Sequence, residues 1–206
     1  MKVWAWSEGV RNFGDELGPA ILSRLGYDVE RVDTINQAEL LSCGSLLEHA
    51  AADAKPGTIV WGSGLMHGDP VDVSHLDVRA VRGRLTARAC GLSGVVTGDP
   101  GSLVPELWDR PRPAIDLGVV RHYIDERTYP WADAQISANA DVDEVIEFIG
   151  SCRRIASSSL HGLIVATAWG IPAFRLHHPD VAGGDFKWAD WLSAAHDPRR
   201  MLEVLP

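Results

Sequence analysis

The chain has 206 residues, of which 46% are hydrophobic, and a formal net charge of −9. These values fit a globular protein of one large or two small domains and argue against nucleic acid as a main partner, because phosphate backbones attract excess positive charge. No stretch approaches the roughly 20 apolar residues of a membrane span, and the N-terminus lacks the long apolar segment of a signal peptide, so we expect a cytoplasmic protein.

The first half of the chain alternates apolar strands with helices. We predict strands at 2–6, 27–32, 40–43, 58–61, 78–82 and 95–97, with helices that start near residues 12–16 and span 46–54 and 83–90. This alternation is typical of a parallel α/β sheet, whose ligands bind beyond the carboxyl ends of the strands. The small or polar residues that follow the strands are therefore predicted to line a shared cleft, although the conformational needs of the turns also explain the glycines. They are Asn12, Gly14, Gly44, Ser45, Gly62, Ser63, Gly64 and Gly98.

Residues 108–113 break this pattern, since they carry three charges and two prolines. We interpret them as a linker between an N-terminal domain, 1–107, and a C-terminal domain, 114–206. The second half is predicted to contain strands at 114–123, 134–137, 155–157 and 173–176, and helices at 141–151, 160–169, 186–195 and 198–205. The layout is two α/β halves with a cleft between them.

The helix at 160–169 is apolar almost all round and is predicted to be buried. His161 stands at its N-terminal end, where backbone N–H groups and the positive end of the helix dipole favour an anion. The three cysteines, Cys43, Cys90 and Cys152, lie far apart and are expected to be buried apolar residues. The eight histidines show no metal-ligand spacing, so no metal site is predicted.

Five short motifs, in their order along the chain, resemble those of the polysaccharide pyruvyl transferases. They are Asn12-x-Gly14-Asp15, Val81-Arg82-Gly83-x-x-Thr86, Gly98-Asp99-Pro100, Ser159-Leu160-His161-Gly162 and Lys187-Trp188-x-Asp190-Trp191. The last is similar to a stretch of the exopolysaccharide ketal-pyruvate members. The resemblance implies a GT-B-like arrangement of two Rossmann-like domains that face a central cleft. It also implies transfer of the enolpyruvyl carbons of phosphoenolpyruvate onto two hydroxyls of one sugar, which forms a pyruvate ketal.

The same resemblance implies the partners of the reaction. Phosphoenolpyruvate is a co-substrate, and no cofactor or metal is needed. The acceptor is a sugar of a polysaccharide or of a lipid-linked oligosaccharide, and a lipid-linked acceptor would bring the protein to the inner face of the membrane. Many members carry an arginine where this chain has Ser159. The exopolysaccharide branch often has serine there, so the cation that meets the donor is left open.

Phosphoenolpyruvate carries a carboxylate and a phosphate, so its site needs convergent cations. Arg82, at the end of a predicted buried strand, is the first choice for binding the phosphate or carboxylate of the donor. Alternatively, Arg82 forms an interdomain ion pair. Ser159 and Leu160 are predicted to bind the donor through the family motif. Lys187 is a weaker cation, because it would also fit a solvated helix start. Arg121 and Arg175 are further candidates for the role of the missing arginine.

The predicted catalytic residues are His161, Asp15 and Asp99. His161 would donate to the phosphate or protonate the donor, and its alternative is a capped core histidine. The two aspartates follow strands, where a carboxylate can reach a cleft and act as general base. Asp15 would equally serve to cap its helix, and Asp99 would form a turn with Pro100. The residues alone do not assign acid and base among the three.

Two other functions are compatible with the sequence. One is a glycosyltransferase that uses a nucleotide sugar on the same architecture, since fold does not fix function. Such an enzyme would hold the ribose with an acidic residue in the C-terminal half, and no clear one follows residue 162. The other is a non-catalytic sugar- or anion-binding module, for which the eight tryptophans would offer stacking surfaces.

Overall fold

The computed structural model describes residues 1–6, 9–194 and 197–205, which form two compact units. Unit 1 consists of Met1–Trp6, Gly18–Pro100 and Ala182–Pro206, and unit 2 consists of Ser7–Leu17 and Gly101–Val181. Residues 108–113 form neither helix nor strand. The division at 1–107, 108–113 and 114–206 stays a prediction.

Each unit contains one parallel sheet, which confirms the predicted α/β class. The six strands of unit 1 are β1 (Lys2–Trp4), β2 (Glu30–Arg31), β3 (Leu40–Leu41), β4 (Ile59–Ser63), β5 (Asp77–Val81) and β6 (Val96–Thr97). Their order in the sheet is β2-β1-β3-β4-β5-β6. The four strands of unit 2 are β7 (Ile115–Arg121), β8 (Ala134–Ser137), β9 (Cys152–Ser157) and β10 (Ala173–Arg175), in the order β10-β9-β7-β8. Every predicted strand is present, most of them shorter than predicted.

Eight α-helices connect or flank these strands in the described residues. They are α1 (Phe13–Arg24), α2 (Leu47–Asp53), α3 (Arg84–Ala89), α4 (Val104–Leu107), α5 (Val142–Gly150), α6 (Leu160–Ala168), α7 (Phe186–Leu192) and α8 (Pro198–Glu203). Helix α7 was predicted to extend to Ala195, but it ends at Leu192, and Ser193 and Ala194 are not helical; Ala195 lies outside the described residues. Helix α4 and the 3-10 helices Ile35–Gln37 and Pro100–Leu103 were not predicted, because they are too short for helical periodicity.

The direction of chain progression reverses once in each sheet. In unit 1 the reversal lies between β1 and β3, and in unit 2 it lies between β7 and β9. Ligands of open parallel sheets bind at such reversals, outside the carboxyl ends of the two strands. In unit 2 the carboxyl end of β9 leads directly into Ser158, Ser159 and the start of α6.

Helix α6 is the buried helix of unit 2, as predicted. All residues from Leu160 to Ala166 are buried. Gly162 lets the helix lie close to the sheet, since a Cβ there would come within 2.5 Å of Ser157 Oγ and 3.1 Å of Val120 Cβ. The helix ends before Gly170, whose φ of 68° suits a glycine after a helix C-terminus. Among the described residues, no helix combines the length and apolar character that crossing a membrane requires.

Candidate functional site

The turn between β9 and α6 is tied to β7 by hydrogen bonds. The Ser158 N–H donates to the carbonyl oxygen of Val120 at 3.2 Å. The hydroxyl of Ser157 donates to the same carbonyl at 2.8 Å and accepts from the Ser159 N–H at 3.0 Å. These contacts hold the start of α6 at the chain reversal of unit 2. The Ser159 hydroxyl itself makes no capping bond to the helix.

The N-terminal motif packs against the imidazole of His161. A Cβ at Gly14 would lie 2.3 Å from Nδ1 of His161, so the ring occupies the space that a side chain at residue 14 would need. The loop is anchored by the Phe13 N–H, which donates to the carbonyl oxygen of Ala138 at 2.7 Å just after β8. His161 is 8% exposed. Two motifs about 150 residues apart in the sequence therefore meet in unit 2.

Asn12 and Asp15 form the polar part of this loop. The side-chain amide of Asn12 donates to Asp15 Oδ2 at 2.5 Å, and its Oδ1 accepts from the Gly14 N–H at 3.2 Å. Asp15 is 9% exposed and lies in the first turn of α1. The Asn12 side chain therefore bonds both to the backbone of the first turn of α1, at Gly14, and to the Asp15 carboxylate. The catalytic role of Asp15 stays a prediction.

A second group of side chains at this site was missed by the sequence analysis. It centres on Asp125, which is 2% exposed in the loop after β7. Its carboxylate accepts hydrogen bonds from Arg127 Nε at 2.8 Å, Tyr129 OH at 2.7 Å and Ser158 Oγ at 2.6 Å. His178 Nε2 lies 3.7 Å from it. The spacing Asp125-x-Arg127-x-Tyr129 was visible in the sequence, but its contact with the residue before the Ser-Leu-His motif was not.

The Asp125 carboxylate remains ionised in this setting. Burial would raise its pKa, but hydrogen bonds from Arg127, Ser158 and Tyr129 outweigh burial and hold the pKa below its usual range. Burial and the nearby carboxylate raise the pKa of Tyr129 to about 12. The phenol therefore stays neutral and donates. The ionised Asp125 carboxylate therefore orients the Ser158 hydroxyl, which also accepts a hydrogen bond from the His122 N–H at 2.9 Å.

The two further candidate arginines differ in their surroundings. Arg121 ends β7 beside this turn, and its Nη1 donates to the backbone carbonyl of Asp125 at 3.2 Å. Arg175 is exposed at the end of the edge strand β10. Only Arg121 therefore lies at the chain reversal of unit 2.

In unit 1, Arg82 forms a buried ion pair, but within one unit and not between domains as in the predicted alternative. The guanidinium is 1% exposed. Its Nε donates to Asp190 Oδ2 at 2.9 Å, its Nη1 to Ser45 Oγ at 2.6 Å and its Nη2 to the Leu65 carbonyl at 2.5 Å. Arg82 and Asp190 both belong to unit 1, although they lie 108 residues apart in the sequence.

Asp190 joins two of the motifs found in the sequence. Besides Arg82, it accepts hydrogen bonds from the N–H of Thr86 at 2.8 Å and from its hydroxyl at 2.7 Å. Neighbouring glycines make room for this arrangement. A Cβ at Gly83 would lie 1.9 Å from the Asp190 carbonyl oxygen, and one at Gly64 would lie 2.4 Å from Arg82 Cζ. The ion pair is thus enclosed by backbone.

The other predicted residues of unit 1 lie at or near the carboxyl ends of its strands, except Lys187, which lies in the first turn of α7. The Ser63 hydroxyl donates to the Gly44 carbonyl at 3.0 Å. Asp99 is buried, with the Cys43 thiol 3.7 Å from its Oδ1. Lys187 is buried at 7% exposure rather than solvated, with its Nζ 6.0 Å from the ring centroid of Trp188. Gly62 and Gly98 are packed against Pro100 and Met201, respectively.

Comparison with known proteins identifies the family. The sequence model described as "Polysaccharide pyruvyl transferase" matches residues 12–178, which is most of the chain. This chain belongs to the polysaccharide pyruvyl transferase family. It is 30% identical to a Rhizobium meliloti (strain 1021) protein named "Succinoglycan biosynthesis protein ExoV", in an alignment of 223 positions that covers 98% of this chain and 68% of that protein.

A second relative is "Uncharacterized protein L143" of Acanthamoeba polyphaga mimivirus. It is 29% identical over 162 residues, which cover 69% of this chain. The chain spans 56% of the length of this viral relative. No solved structure matches the chain significantly.

The structure divides the site residues predicted for this pyruvyl transferase family member between the two units. Unit 2 contains the residues of the N-terminal loop and of the start of α6, where Gly14 packs against His161, and unit 1 contains the others. The set in unit 2 is Asn12, Gly14, Asp15, Ser159 and His161, with Leu160 in the first turn of α6. The set in unit 1 is Gly44, Ser45, Gly62, Ser63, Gly64, Arg82, Gly98, Asp99 and Lys187.

Proposed function

We propose that this chain is a pyruvyltransferase that moves the enolpyruvyl carbons of phosphoenolpyruvate onto two hydroxyls of one sugar, forming a pyruvate ketal. The family match supports pyruvyl transfer. The similarity to a protein named for succinoglycan biosynthesis supports an exopolysaccharide, or its lipid-linked precursor, as acceptor. With a lipid-linked acceptor the enzyme works in the cytoplasm at the inner face of the membrane.

The contact between Gly14 and His161 is the observation that carries this proposal. It brings two family motifs together at the chain reversal of a parallel sheet, where ligands of such folds bind. The N–H groups at the start of α6 suit the anionic oxygens of phosphoenolpyruvate. We propose that the donor binds there, between the backbone of Ser159 and Leu160 and the imidazole of His161.

The proposed reaction begins with a proton delivered to the methylene carbon of phosphoenolpyruvate. The adjacent carbon becomes an oxocarbenium centre, and one sugar hydroxyl attacks it and loses its proton. The C–O bond to phosphate then breaks, inorganic phosphate leaves, and a second hydroxyl attacks the same carbon to close the ring. His161, Asp15 and Asp99 are the proposed acid and base groups. The steps consume one donor and one acceptor and release one phosphate.

The proposal includes the GT-B-like fold that the family resemblance implies. Arg82 and Lys187 are proposed as further cations for the donor. Arg82 has more N–H groups than the three that bond to Asp190, Ser45 and Leu65, so the ion pair does not exhaust its donors. No cofactor or metal takes part in the proposed route.

The test is an assay of the purified protein with phosphoenolpyruvate and candidate acceptors. Suitable acceptors are methyl glycosides of glucose and galactose and a lipid-linked oligosaccharide extract. We expect acceptor-dependent phosphate release and an acceptor whose mass rises by that of pyruvate minus one water. His161→Asn should abolish both while the protein stays folded, and Glu144→Gln, on the exposed side of α5, should leave both unchanged. Activity with a nucleotide sugar and none with phosphoenolpyruvate would contradict the proposal.

A further inference from the structure

Arg121 lies between the two parts of the site in unit 2. Its carbonyl oxygen accepts from the N–H of Ala138 at 2.7 Å, and the carbonyl of Ala138 accepts from the N–H of Phe13, next to Gly14. On the other side of β7, the preceding residue Val120 accepts from the N–H of Ser158. The backbone at Arg121 is therefore linked both to the N-terminal loop and to the turn before His161.

The side chain of Arg121 has an unusual bonding pattern for a cation in such a place. Its Nε is buried and has no hydrogen-bond partner within the described ranges. Its side chain donates from Nη1 to a neutral backbone carbonyl, that of Asp125. Within the described residues the Asp125 carboxylate forms no salt bridge with Arg121, and Arg127 binds both of its oxygens.

Arg121 is half-buried, and a guanidinium that is partly removed from water without a salt-bridge partner loses hydration that nothing in the site replaces. The other arginine in a predicted site, Arg82, is balanced by Asp190. Across residues 1–6, 9–194 and 197–205, no salt bridge to Arg121 is found. An anionic ligand that reaches its Nε would supply both the missing hydrogen bond and the missing charge, and a planar guanidinium suits a carboxylate or phosphate.

We infer that Arg121 binds the anionic oxygens of phosphoenolpyruvate. It takes the role of the arginine that many family members carry at the position of Ser159. This inference rests on the proposed function, because that function names the donor. It differs from the family pattern in the element that supplies the cation. Here the charge comes from the end of β7 instead of from the residue before Leu160 and His161, and the start of α6 supplies only N–H groups and the imidazole.

The test compares binding of phosphoenolpyruvate to the wild-type protein and to Arg121→Gln by calorimetry. Loss of a charged hydrogen bond should weaken binding about tenfold to a hundredfold. The control is Arg154→Gln in the same unit, whose guanidinium pairs with Asp116 at the surface. It should bind like the wild type. A folded Arg121→Gln protein with unchanged affinity would overturn the inference.

A second measurement uses the wild-type protein, in case Arg121→Gln does not fold. The protein is treated with butanedione, which modifies accessible arginines, and its peptides are mapped by mass spectrometry. Saturating phosphoenolpyruvate should slow modification of Arg121 and leave that of Arg154 unchanged. Equal rates at Arg121 with and without the donor would contradict the inference. Both measurements need binding and not turnover, so a protein that binds the donor but forms no ketal defeats only the proposed function.

Discussion

The buried ion pair of unit 1 gives a prediction whose size follows from its contacts. Arg82 and Asp190 have side-chain exposures of 1% and 0%. Replacing one partner leaves the other charge buried without compensation, which costs about 3–5 kcal/mol. We expect Arg82→Met and Asp190→Asn each to lose about this much of the free energy of unfolding, out of about 5–15 kcal/mol for a typical domain.

The double variant should lose much less than the sum of the two single changes. With both charges gone, the remaining defects are the buried Leu65 carbonyl and the half-buried Ser45 hydroxyl, which lose the donors that Arg82 provided. An unsatisfied buried acceptor costs about 1–3 kcal/mol. The amide oxygen introduced by Asp190→Asn would still accept from the Thr86 N–H, so that bond need not be lost.

Urea unfolding followed by tryptophan fluorescence measures these differences, because the buried Trp188 and Trp191 flank Asp190. Asp77→Asn is the matched control. It breaks an exposed pair with Arg79 in the same unit and should cost about 0–1 kcal/mol. Additive losses in the double variant, or a loss in Asp190→Asn no larger than in the control, would refute the reasoning. A folded double variant, which lacks Arg82, would also show by comparison with the wild type whether Arg82 contributes to donor binding.

Three further predictions concern unit 2 and its cysteine. Gly14→Ala should lower turnover strongly in the phosphate-release assay, because the added Cβ must displace the His161 ring. The melting temperature should change little, since an overpacking cost of about 1–3 kcal/mol is partly offset by the higher helix propensity of alanine. Asp125 has a lowered pKa, so the stability it contributes is present above the unfolded-state value of about 3.9 and is lost as pH falls below it. Asp125→Asn should therefore flatten the acid limb of a stability-versus-pH curve, and an unchanged limb would contradict the assignment. Burial raises the pKa of Cys152 to about 11, so iodoacetamide at a pH of about 8 should label it only after unfolding; labelling of the native protein at the rate of free cysteine would show that the thiol is accessible.

Local patterns predicted the fold well because each βα unit carries its own signals. The helix 160–169 ends within one residue of α6, since Gly170 and Pro172 terminate it in any context. The strand 134–137 matches β8. Strand ends were less accurate, as at 27–32, where only Glu30–Arg31 pairs with β1.

The candidate site residues were chosen one by one, and their pairings were not predicted. Position at or after a strand singled out Gly14 and Arg82, the start of a buried helix singled out His161, and an ion pair of Arg82 was considered only as one between domains. Its partner Asp190 was not predicted, because nothing in the local sequence shows which carboxylate from a distant helix reaches a buried cation. The role of Asp125 was missed for the same reason, since its contact with Ser158 depends on the pairing of β7 with β9.

The most direct test of this account is a crystal structure of the protein soaked with phosphoenolpyruvate. We predict that the donor lies at the start of α6, with its anionic oxygens within hydrogen-bond distance of His161 and of the Arg121 guanidinium. Donor density in another part of the molecule, with this end of β7 and β9 unchanged and unliganded at saturating concentration, would contradict the central claim.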